Sequence, residues 1–193
     1  MNRILLIVDP QNDFITGTLA VPGAKEKMMK LSDYIKTNVY DYICVTLDSH
    51  PKNHISFKEN GGMWPTHCVA YTNGWDIPEY LEMALGGILT TYYHKGTDLN
   101  KEEYSIFDNE SDGYILANQL IDLFREGNIY IDVCGIAGDF CVIETIKGLR
   151  KIIGDQYITV LVNYTASIDG GIKLCDYLES NKIQYKLNLN NDE

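Results

Sequence analysis

The sequence predicts an α/β protein with a doubly wound, mainly parallel sheet of six strands and helices on both faces. Short apolar runs rich in Ile, Val and Tyr alternate along the chain with longer segments of helical period. This alternation is the pattern of β-α-β units around such a sheet. A chain of 193 residues can bury a sizeable core without disulfides or a structural metal. We therefore expect a single domain over residues 1–193.

Apolar runs of five or six residues are the predicted strands. The first run stops at Val8 and is followed by Asp-Pro instead of a small-residue cleavage site. It is therefore typical of a buried strand and too short for a signal peptide. We expect strands at residues 3–8, 42–47, 88–93, 129–134, 157–162 and 183–187.

Helices fill most of the gaps between these strands. The apolar residues of segment 24–38 recur at spacings of three and four, which predicts one buried helix stripe: Met28, Leu31, Ile35 and Val39. A second helix is predicted over 112–126, with Ser111 as its N-cap and Gly127 as its stop. Two more are expected over 140–153 and 169–181.

The segment between Asp48 and Pro78 is the exception to this alternation. Glycine, proline and asparagine residues break every period there. An irregular segment of this length inside a compact domain is usually a functional loop. We therefore predict a loop that contributes to a site.

Charge and cysteine content exclude several classes of function. With 16 Lys and Arg against 27 Asp and Glu, the net charge of −11 repels phosphate backbones and anionic membranes. No window approaches the roughly 18 to 20 apolar residues of a membrane span. The five cysteines form neither a Cys-x-x-Cys pair nor a dense disulfide framework. We expect a cytoplasmic protein with a small-molecule partner, without nucleic acid or membrane partners, and with a homo-oligomer left open.

Ionisable side chains follow four successive predicted strands. Asp9 follows the first, Asp48 and His50 the second, and Lys95 the third, while Cys141 lies seven residues after the fourth. Each has a structural explanation when taken singly, because an Asp often caps a turn, a Lys is usually solvated and a Cys often fills a core. Ligands of open parallel sheets bind beyond the carboxyl ends of the strands. The coincidence of these residues at one edge therefore indicates a site.

Cys141 has the strongest case for chemistry among the cysteines. The turn of residues 135–140 would set its thiol at the start of the following helix. A helix N-terminus and a nearby ammonium both favour the thiolate. Cys44 and Cys134 lie inside predicted strands and Cys175 on a helix face, so we expect them in the core.

Asp48 and His50 stand two residues apart, so in an extended backbone their side chains point the same way. With His67 from the loop they would form a set of two histidines and one carboxylate, which suits Zn²⁺, Mn²⁺ or Fe²⁺. His54 would either join as a ligand or hold the loop through hydrogen bonds. The alternative is that these histidines only stabilise turns, and the spacing alone leaves both interpretations open.

Several blocks in the sequence resemble a known family. They read Asp-Pro-Gln-Asn-Asp-Phe at 9–14, Asp-x-His-Pro-x-x-His-x-Ser-Phe at 48–57, Trp-Pro-x-His-Cys-Val at 64–69, Lys-Gly-x-Asp at 95–98, Tyr-Ser-x-Phe at 104–107 and Gly-x-Ala-x-Asp-x-Cys-Val at 135–142. In this order they resemble the nicotinamidase/pyrazinamidase branch of the isochorismatase-like cysteine hydrolases. The wider superfamily keeps the Asp, Lys and Cys blocks but generally lacks the two histidine blocks.

The resemblance implies roles for individual residues. It implies a catalytic triad of Asp9, Lys95 and Cys141, and a cis peptide bond before Ala137 that turns the Ala137 and Cys141 N–H groups into an oxyanion hole. The implied ligands of a divalent metal, with zinc expected and manganese or iron as alternatives, are Asp48, His50 and His67. The implied substrate-binding side chains are Phe14, Trp64 and Tyr104.

The implied reaction is hydrolysis of nicotinamide, and also of pyrazinamide, to the acid and ammonia through a thioester on Cys141. One residue departs from the family, because Gly138 stands where a threonine is usual. The alternatives are another amide or carbamoyl hydrolase of the superfamily, or a catalytically silent ligand-binding module of the same fold. The full set of Asp9, Lys95 and Cys141 argues against a silent module.

Overall fold

The computed structural model describes residues 2–127 and 129–187. It contains a six-stranded sheet in which all paired strands are parallel, in the order β3-β2-β1-β4-β5-β6. The strands are β1 (Asn2–Val8), β2 (Tyr42–Asp48), β3 (Thr90–Lys95), β4 (Ile129–Ile136), β5 (Ile158–Ala166) and β6 (Gln184–Lys186). The helices are α1 (Asn12–Ile15), α2 (Ala24–Thr37), α3 (Glu79–Leu85), α4 (Asp112–Glu126), α5 (Ile143–Ile153) and α6 (Ile172–Asn181). The predicted fold class is confirmed.

Alternate residues of β1 divide the interior into two cores. Ile4, Leu6 and Val8 pack into a core that includes buried residues of α4, α5 and α6. Leu5 and Ile7 face the opposite side and pack into a core with α2 and α3. This follows from the period of two in a strand, which sends successive side chains to opposite faces. Helices therefore cover both faces of the sheet, as predicted.

The order of the strands determines where a ligand can bind. Chain order runs outward in both directions from the central pair β1 and β4, so the topological switch point lies between these two strands. In open α/β sheets, ligands bind in the crevice beyond the carboxyl ends of the strands at that point. Asp9 directly follows β1, and the segment Ala137–Cys141 directly follows β4.

Some predicted boundaries differ from the structure. β3 begins two residues later than expected and includes Lys95, while β4 and β5 extend further at their carboxyl ends. In the stripe of α2, Met28, Leu31 and Ile35 are buried but Val39 is 80% exposed, because the helix ends at Thr37.

Caps and short helices account for the other differences. Ser111 does not cap α4 with its side chain; instead, Asn109 Oδ1 accepts the N–H groups of Ser111 and Asp112. α5 and α6 begin three residues later than predicted, at Ile143 and Ile172. Helices α1 and α3 were not predicted, nor was the 3₁₀ turn at Lys58–Asn60 within the loop. Among the described residues, no helix is long and apolar enough to cross a membrane.

Candidate active site

Three residues from different strand ends meet at the switch point. The Lys95 ammonium lies 2.9 Å from Asp9 Oδ2 and 3.6 Å from Cys141 Sγ. Asp9 and Lys95 are completely buried, and Cys141 is 7% exposed. The structure thus brings together the three residues that the strand-end pattern placed at one edge.

Backbone geometry presents each of these groups to the others. Asp9 has a left-handed backbone (φ 48°), and its Oδ1 accepts a hydrogen bond of 2.7 Å from Thr46 Oγ1. The Ile136–Ala137 peptide bond is cis, as the resemblance implies. After it, the chain forms a π-helical turn over Gly138–Val142 that leads into α5. Cys141 therefore lies at the entrance to a helix, as its sequence position suggested.

Electrostatic coupling among the buried charges is strong. Burial alone would lower the pKa of Lys95, but the carboxylates of Asp48 and Asp9 hold it well above its usual value. Burial raises the pKa of Asp9, and Lys95 offsets only part of this increase. Lys95 therefore remains an ammonium, whereas Asp9 binds a proton more readily than an exposed carboxylate does.

The Cys141 thiol does not become a thiolate through its surroundings alone. Burial raises the pKa of Cys141 well above its usual value, and the Lys95 ammonium opposes this effect without overcoming it. The carboxylates of Asp9 and Asp48 raise the pKa further. The expected thiolate-stabilising effect of the ammonium is present but smaller than the cost of burial. Cys141 therefore needs a base, and Asp9 is the adjacent one.

A second cluster lies on the other side of Lys95. Asp48 Oδ2 is 3.6 Å from His50 Nε2 and 3.9 Å from His67 Nε2, and all three side chains are buried. Their ligand atoms lie within 4.8 Å of one another. Asp48 Oδ1 also forms a 2.5 Å ion pair with Lys95 Nζ, which joins the two clusters.

The histidine rings are oriented as metal ligands usually are. His50 Nδ1 lies 3.0 Å from the Gly96 carbonyl oxygen, and His67 Nδ1 lies 2.8 Å from that of Pro65. Each carbonyl can only accept, so a proton is on Nδ1 and the Nε2 atom of each ring faces Asp48. His50 Nε2 is buried without a hydrogen-bond partner among the described residues. A divalent metal ion fits this donor set.

Asp48 and His54 have different roles in and beside this cluster. Burial alone would raise the pKa of Asp48, but Lys95 and His50 hold it below its usual value, so the carboxylate is ionised. His54 uses both ring nitrogens, with Nδ1 2.8 Å from Ser56 Oγ and Nε2 3.0 Å from the Lys101 carbonyl oxygen. Of the two roles considered for His54, the structure therefore supports the one that holds the loop.

A cavity opens onto both clusters. Asp48, His67 and Cys141 line one side of it, together with Ala137. The predicted wall residues Phe14, Trp64 and Tyr104 all line the cavity. The Trp64 indole N–H donates a hydrogen bond of 3.1 Å to the Tyr104 hydroxyl. A flat aromatic molecule with one polar substituent matches this combination of walls and polar groups.

Several residues around the site were not predicted from the sequence. Phe140 lies edge-on to Trp64 with ring centroids 5.0 Å apart, and Glu102 adds a carboxylate to the cavity. Gln11 holds Asp48 at both backbone positions: its Nε2 donates to the Asp48 carbonyl oxygen, and its Oε1 accepts the Asp48 N–H, each at 2.8 Å. The signal for Gln11 was its place in the polar stretch directly after β1.

The structure also gives a steric reason for Gly138. A Cβ at this position would lie 2.1 Å from Ser167 Oγ, whereas the next nearest atom, Thr165 Cγ2, would be 3.1 Å away. The buried Ser167 hydroxyl therefore fills the space that a side chain at residue 138 would need. A residue with a Cβ at position 138 would therefore require the Ser167 hydroxyl to move.

Comparisons with known proteins agree with this geometry. No protein-family model matches the chain. A nicotinamidase/pyrazinamidase of Mycobacterium tuberculosis is 34% identical over 173 residues, which cover 86% of this chain and 87% of that protein. Two solved structures, each 29% identical, cover 96% of this chain. The L. infantum protein PnC1 in complex with nicotinate superposes with a TM-score of 0.83, over 92% of its own chain. The pyrazinamidase of Pyrococcus horikoshii in complex with zinc superposes with a TM-score of 0.73, over 99% of its own chain.

Fold and similarity together define the class of protein as a hydrolase with the isochorismatase-like fold, which acts on an amide bond. Within this class, the chain belongs to the nicotinamidase/pyrazinamidase family.

Proposed function

We propose that this protein hydrolyses nicotinamide to nicotinate and ammonia, and accepts pyrazinamide as well, through a thioester on Cys141. The observation that carries the proposal is the buried contact of Lys95 with Asp9 and Cys141, at 2.9 and 3.6 Å, beside an aromatic cavity. The M. tuberculosis relative is a nicotinamidase/pyrazinamidase, and the L. infantum structure binds nicotinate.

The first step forms the carbon–sulfur bond. Asp9 takes the Cys141 proton as the sulfur attacks the carboxamide carbon, which gives a tetrahedral intermediate with a negatively charged oxygen. The raised pKa of Asp9, caused by its burial, supports its role as the base. The N–H groups of Ala137 and Cys141 are proposed to bind the oxyanion, with a contribution of about 2.7 to 4 kcal/mol per donor.

Collapse of this intermediate breaks the carbon–nitrogen bond. Asp9 returns its proton to the nitrogen, so that ammonia leaves as a neutral molecule and a thioester remains. Asp9 then takes a proton from water, which attacks the thioester carbon and displaces the sulfur as a thiolate; the nicotinic acid formed loses its remaining proton to solvent to give nicotinate. The Cys141 sulfur finally recovers its proton from Asp9. Throughout these steps Lys95 keeps its positive charge and stabilises whichever neighbour is anionic.

Asp48, His50 and His67 are proposed to hold one divalent ion, with zinc as the expected metal. The proposal is supported by the buried His50 Nε2, which has no hydrogen-bond partner among the described residues, and by the Nδ1 contacts that fix both rings. When bound, the ion would accept the ring nitrogen lone pair of the substrate and so orient the carboxamide toward Cys141. Phe14, Trp64 and Tyr104 are proposed to enclose the ring.

The test is ammonia release from nicotinamide by the purified protein and by Cys141→Ala. We expect turnover by the wild type, loss of turnover in Cys141→Ala, and loss in the wild type after treatment with a chelator, restored by Zn²⁺. A silent binding module would bind nicotinate but release no ammonia. That result would contradict the proposed function.

Benzamide tests the choice of substrate ring. It keeps the carboxamide but lacks the ring nitrogen, and a site built around a polar contact strongly rejects an analogue without it. We expect kcat/KM for benzamide to be lower than for nicotinamide by roughly 100-fold or more. Equal values would favour another amide hydrolase of the superfamily.

A further inference from the structure

Glu103 is a buried acidic residue that does not line the substrate cavity. It is 3% exposed, and its Oε2 accepts two hydrogen bonds, one from the Gly96 N–H at 2.8 Å and one from Asn109 Nδ2 at 2.9 Å. Its Oε1 forms an ion pair of 3.1 Å with Lys101, whose side chain is 42% exposed. A buried carboxylate is costly unless it is hydrogen-bonded, so this arrangement fixes Glu103 and the groups that it contacts.

Gly96 connects Glu103 to the candidate metal site. Its N–H is held by Glu103, and its carbonyl oxygen lies 3.0 Å from His50 Nδ1. Gly96 has a φ of 65°, and a Cβ there would lie 2.4 Å from His50 Cε1. The backbone of Gly96 therefore lies directly against the imidazole, so a displacement of Gly96 would move the carbonyl that orients the ring.

The same residue also contacts the catalytic cluster through its backbone. The Glu103 carbonyl oxygen accepts a hydrogen bond of 3.3 Å from Lys95 Nζ, and Lys95 immediately precedes Gly96. Glu103 thus contacts both the ammonium beside Cys141 and, through Gly96, the ring of His50. No other chemistry is required of it, because it touches neither the cavity nor the ligand atoms of the candidate metal site.

We propose that Glu103 is a positioning residue that sets the metal affinity of the site by holding Gly96 against His50. The inference rests on the proposed metal site. Groups that orient a metal-binding histidine from outside the ligand set typically change metal affinity by about 10- to 100-fold when they are altered. Glu103 would act because its side chain is long enough for Oε2 to accept both hydrogen bonds. Its negative charge would matter little.

Two substitutions separate the effect of side-chain length from the effect of charge. Glu103→Gln keeps an oxygen at the same distance, which can still accept from Gly96 and Asn109, but loses the charge. Glu103→Asp keeps the charge but withdraws the carboxylate by one methylene. Lys101→Met removes the ion pair and the hydrogen bond that Lys101 Nζ donates to the Asp108 carbonyl oxygen, leaves both contacts of Glu103 Oε2 in place, and is the matched control. Zn²⁺ affinity of the purified full chain is measured by competition with a chromophoric chelator, and circular dichroism of each metal-free variant checks the fold.

The proposal predicts that Glu103→Asp binds Zn²⁺ about 10- to 100-fold more weakly, while Glu103→Gln and Lys101→Met stay within about threefold of the wild type. Wild-type affinity in Glu103→Asp would overturn the positioning role and leave the metal site intact. If Glu103→Gln were as weak as Glu103→Asp, the charge would be needed as well as the length of the side chain, and the proposal that length alone matters would be wrong. A wild-type chain that binds no Zn²⁺ would instead reject the metal site itself.

Discussion

One cluster of charged groups lies near each end of strand β1. The two clusters differ in composition and in exposure to solvent. At the carboxyl end, the Lys95 ammonium lies between Asp9 and Asp48, at 2.9 and 2.5 Å, and all three residues are buried. Near the amino end, Arg3 pairs with Asp132 at 3.2 Å, and the Arg3 side chain is 42% exposed. Asp48 of the first cluster lines the cavity that also contains the Cys141 thiol, whereas Arg3 and Asp132 do not line that cavity.

The charge balance explains what each cluster can do. Near the amino end, Asp132 Oδ2 accepts a hydrogen bond of 2.7 Å from the Tyr40 hydroxyl in addition to its contact with Arg3, so its charge is matched within the protein. At the carboxyl end two carboxylates face one ammonium, and the protein adds two histidine Nε2 atoms. A surplus of buried ligand atoms is expected where a cation or a reacting group belongs. The difference therefore separates a candidate site from a structural ion pair.

Removal of the central ammonium is expected to have the largest effect. Lys95→Met would leave Asp9 and Asp48 without their shared cation. One of the two carboxylates would then take up a proton, and Asp9 would fail as a base. We predict a loss in kcat/KM of at least about 10³-fold, within the range for general acid–base catalysis. Steady-state kinetics tests this. Lys101→Met, which alters an exposed lysine of the same region, should retain activity.

The loss of a metal ligand should come next. His67→Ala removes one of the three proposed ligands in the cluster, so we expect Zn²⁺ affinity to fall by about 100-fold or more, beyond the effect of a residue outside the ligand set. His94→Ala is the matched control, because His94 pairs with Asp112 on the partly exposed part of β3. Elemental analysis after dialysis distinguishes the two variants. Full metal content in His67→Ala would show that the ligand set is wrong.

A steric change beside the nucleophile should have an intermediate effect. Gly138→Ala would bring a Cβ to 2.1 Å from Ser167 Oγ, so either this hydroxyl or the turn that carries Cys141 must shift. We expect a loss of about 1 to 3 kcal/mol in stability, typical of overpacking, together with reduced kcat. Ser167→Ala in the same chain removes the clashing atom and should restore most of the loss. Thermal unfolding that is equal in the single and double variants would contradict this account.

The smallest effect is expected in the cluster near the amino end of β1. Asp132→Asn weakens the ion pairs with Arg3 and Lys186 and the hydrogen bond from the Tyr40 hydroxyl, and should lower the free energy of unfolding by about 1 to 2 kcal/mol. Turnover of nicotinamide should stay within about twofold, because Arg3, Tyr40 and Asp132 do not line the cavity and distant sites act almost independently. Urea unfolding and kinetics measure the two quantities. A large loss of turnover at unchanged stability would break the proposed separation of the two clusters.

Sequence predicted the carboxyl-end cluster because its members follow apolar runs. Asp9, Asp48 and Lys95 all come at or just after the end of a strand, so the parallel sheet alone brings them to one edge. Lys95 is the last residue of β3, whereas the predicted strand ended two residues earlier, at Tyr93; this difference leaves Lys95 at the same edge of the sheet. Local periodicity thus carried most of the information about this site.

Residues that act through the folded loops could not be predicted in this way. Glu103 and Gln11 matter because they contact Gly96 and Asp48, respectively, across turns whose shapes no local period encodes. Helix α3 was missed because it spans only Glu79–Leu85 and directly follows the proline-containing end of the irregular segment. The exposure of Val39 depended on where α2 ends, and a stripe of apolar residues does not show this end.

The central claim is that Cys141 forms a covalent bond with the substrate acyl group. Rapid acid quenching of the reaction with nicotinamide, followed by intact-mass measurement and peptide mapping, tests it directly. We predict a mass increase of one nicotinoyl group located on Cys141, and neither this adduct nor turnover in Cys141→Ala. A nicotinoyl group on Cys44, Cys68, Cys134 or Cys175, or turnover by Cys141→Ala close to the wild-type rate, would contradict the account.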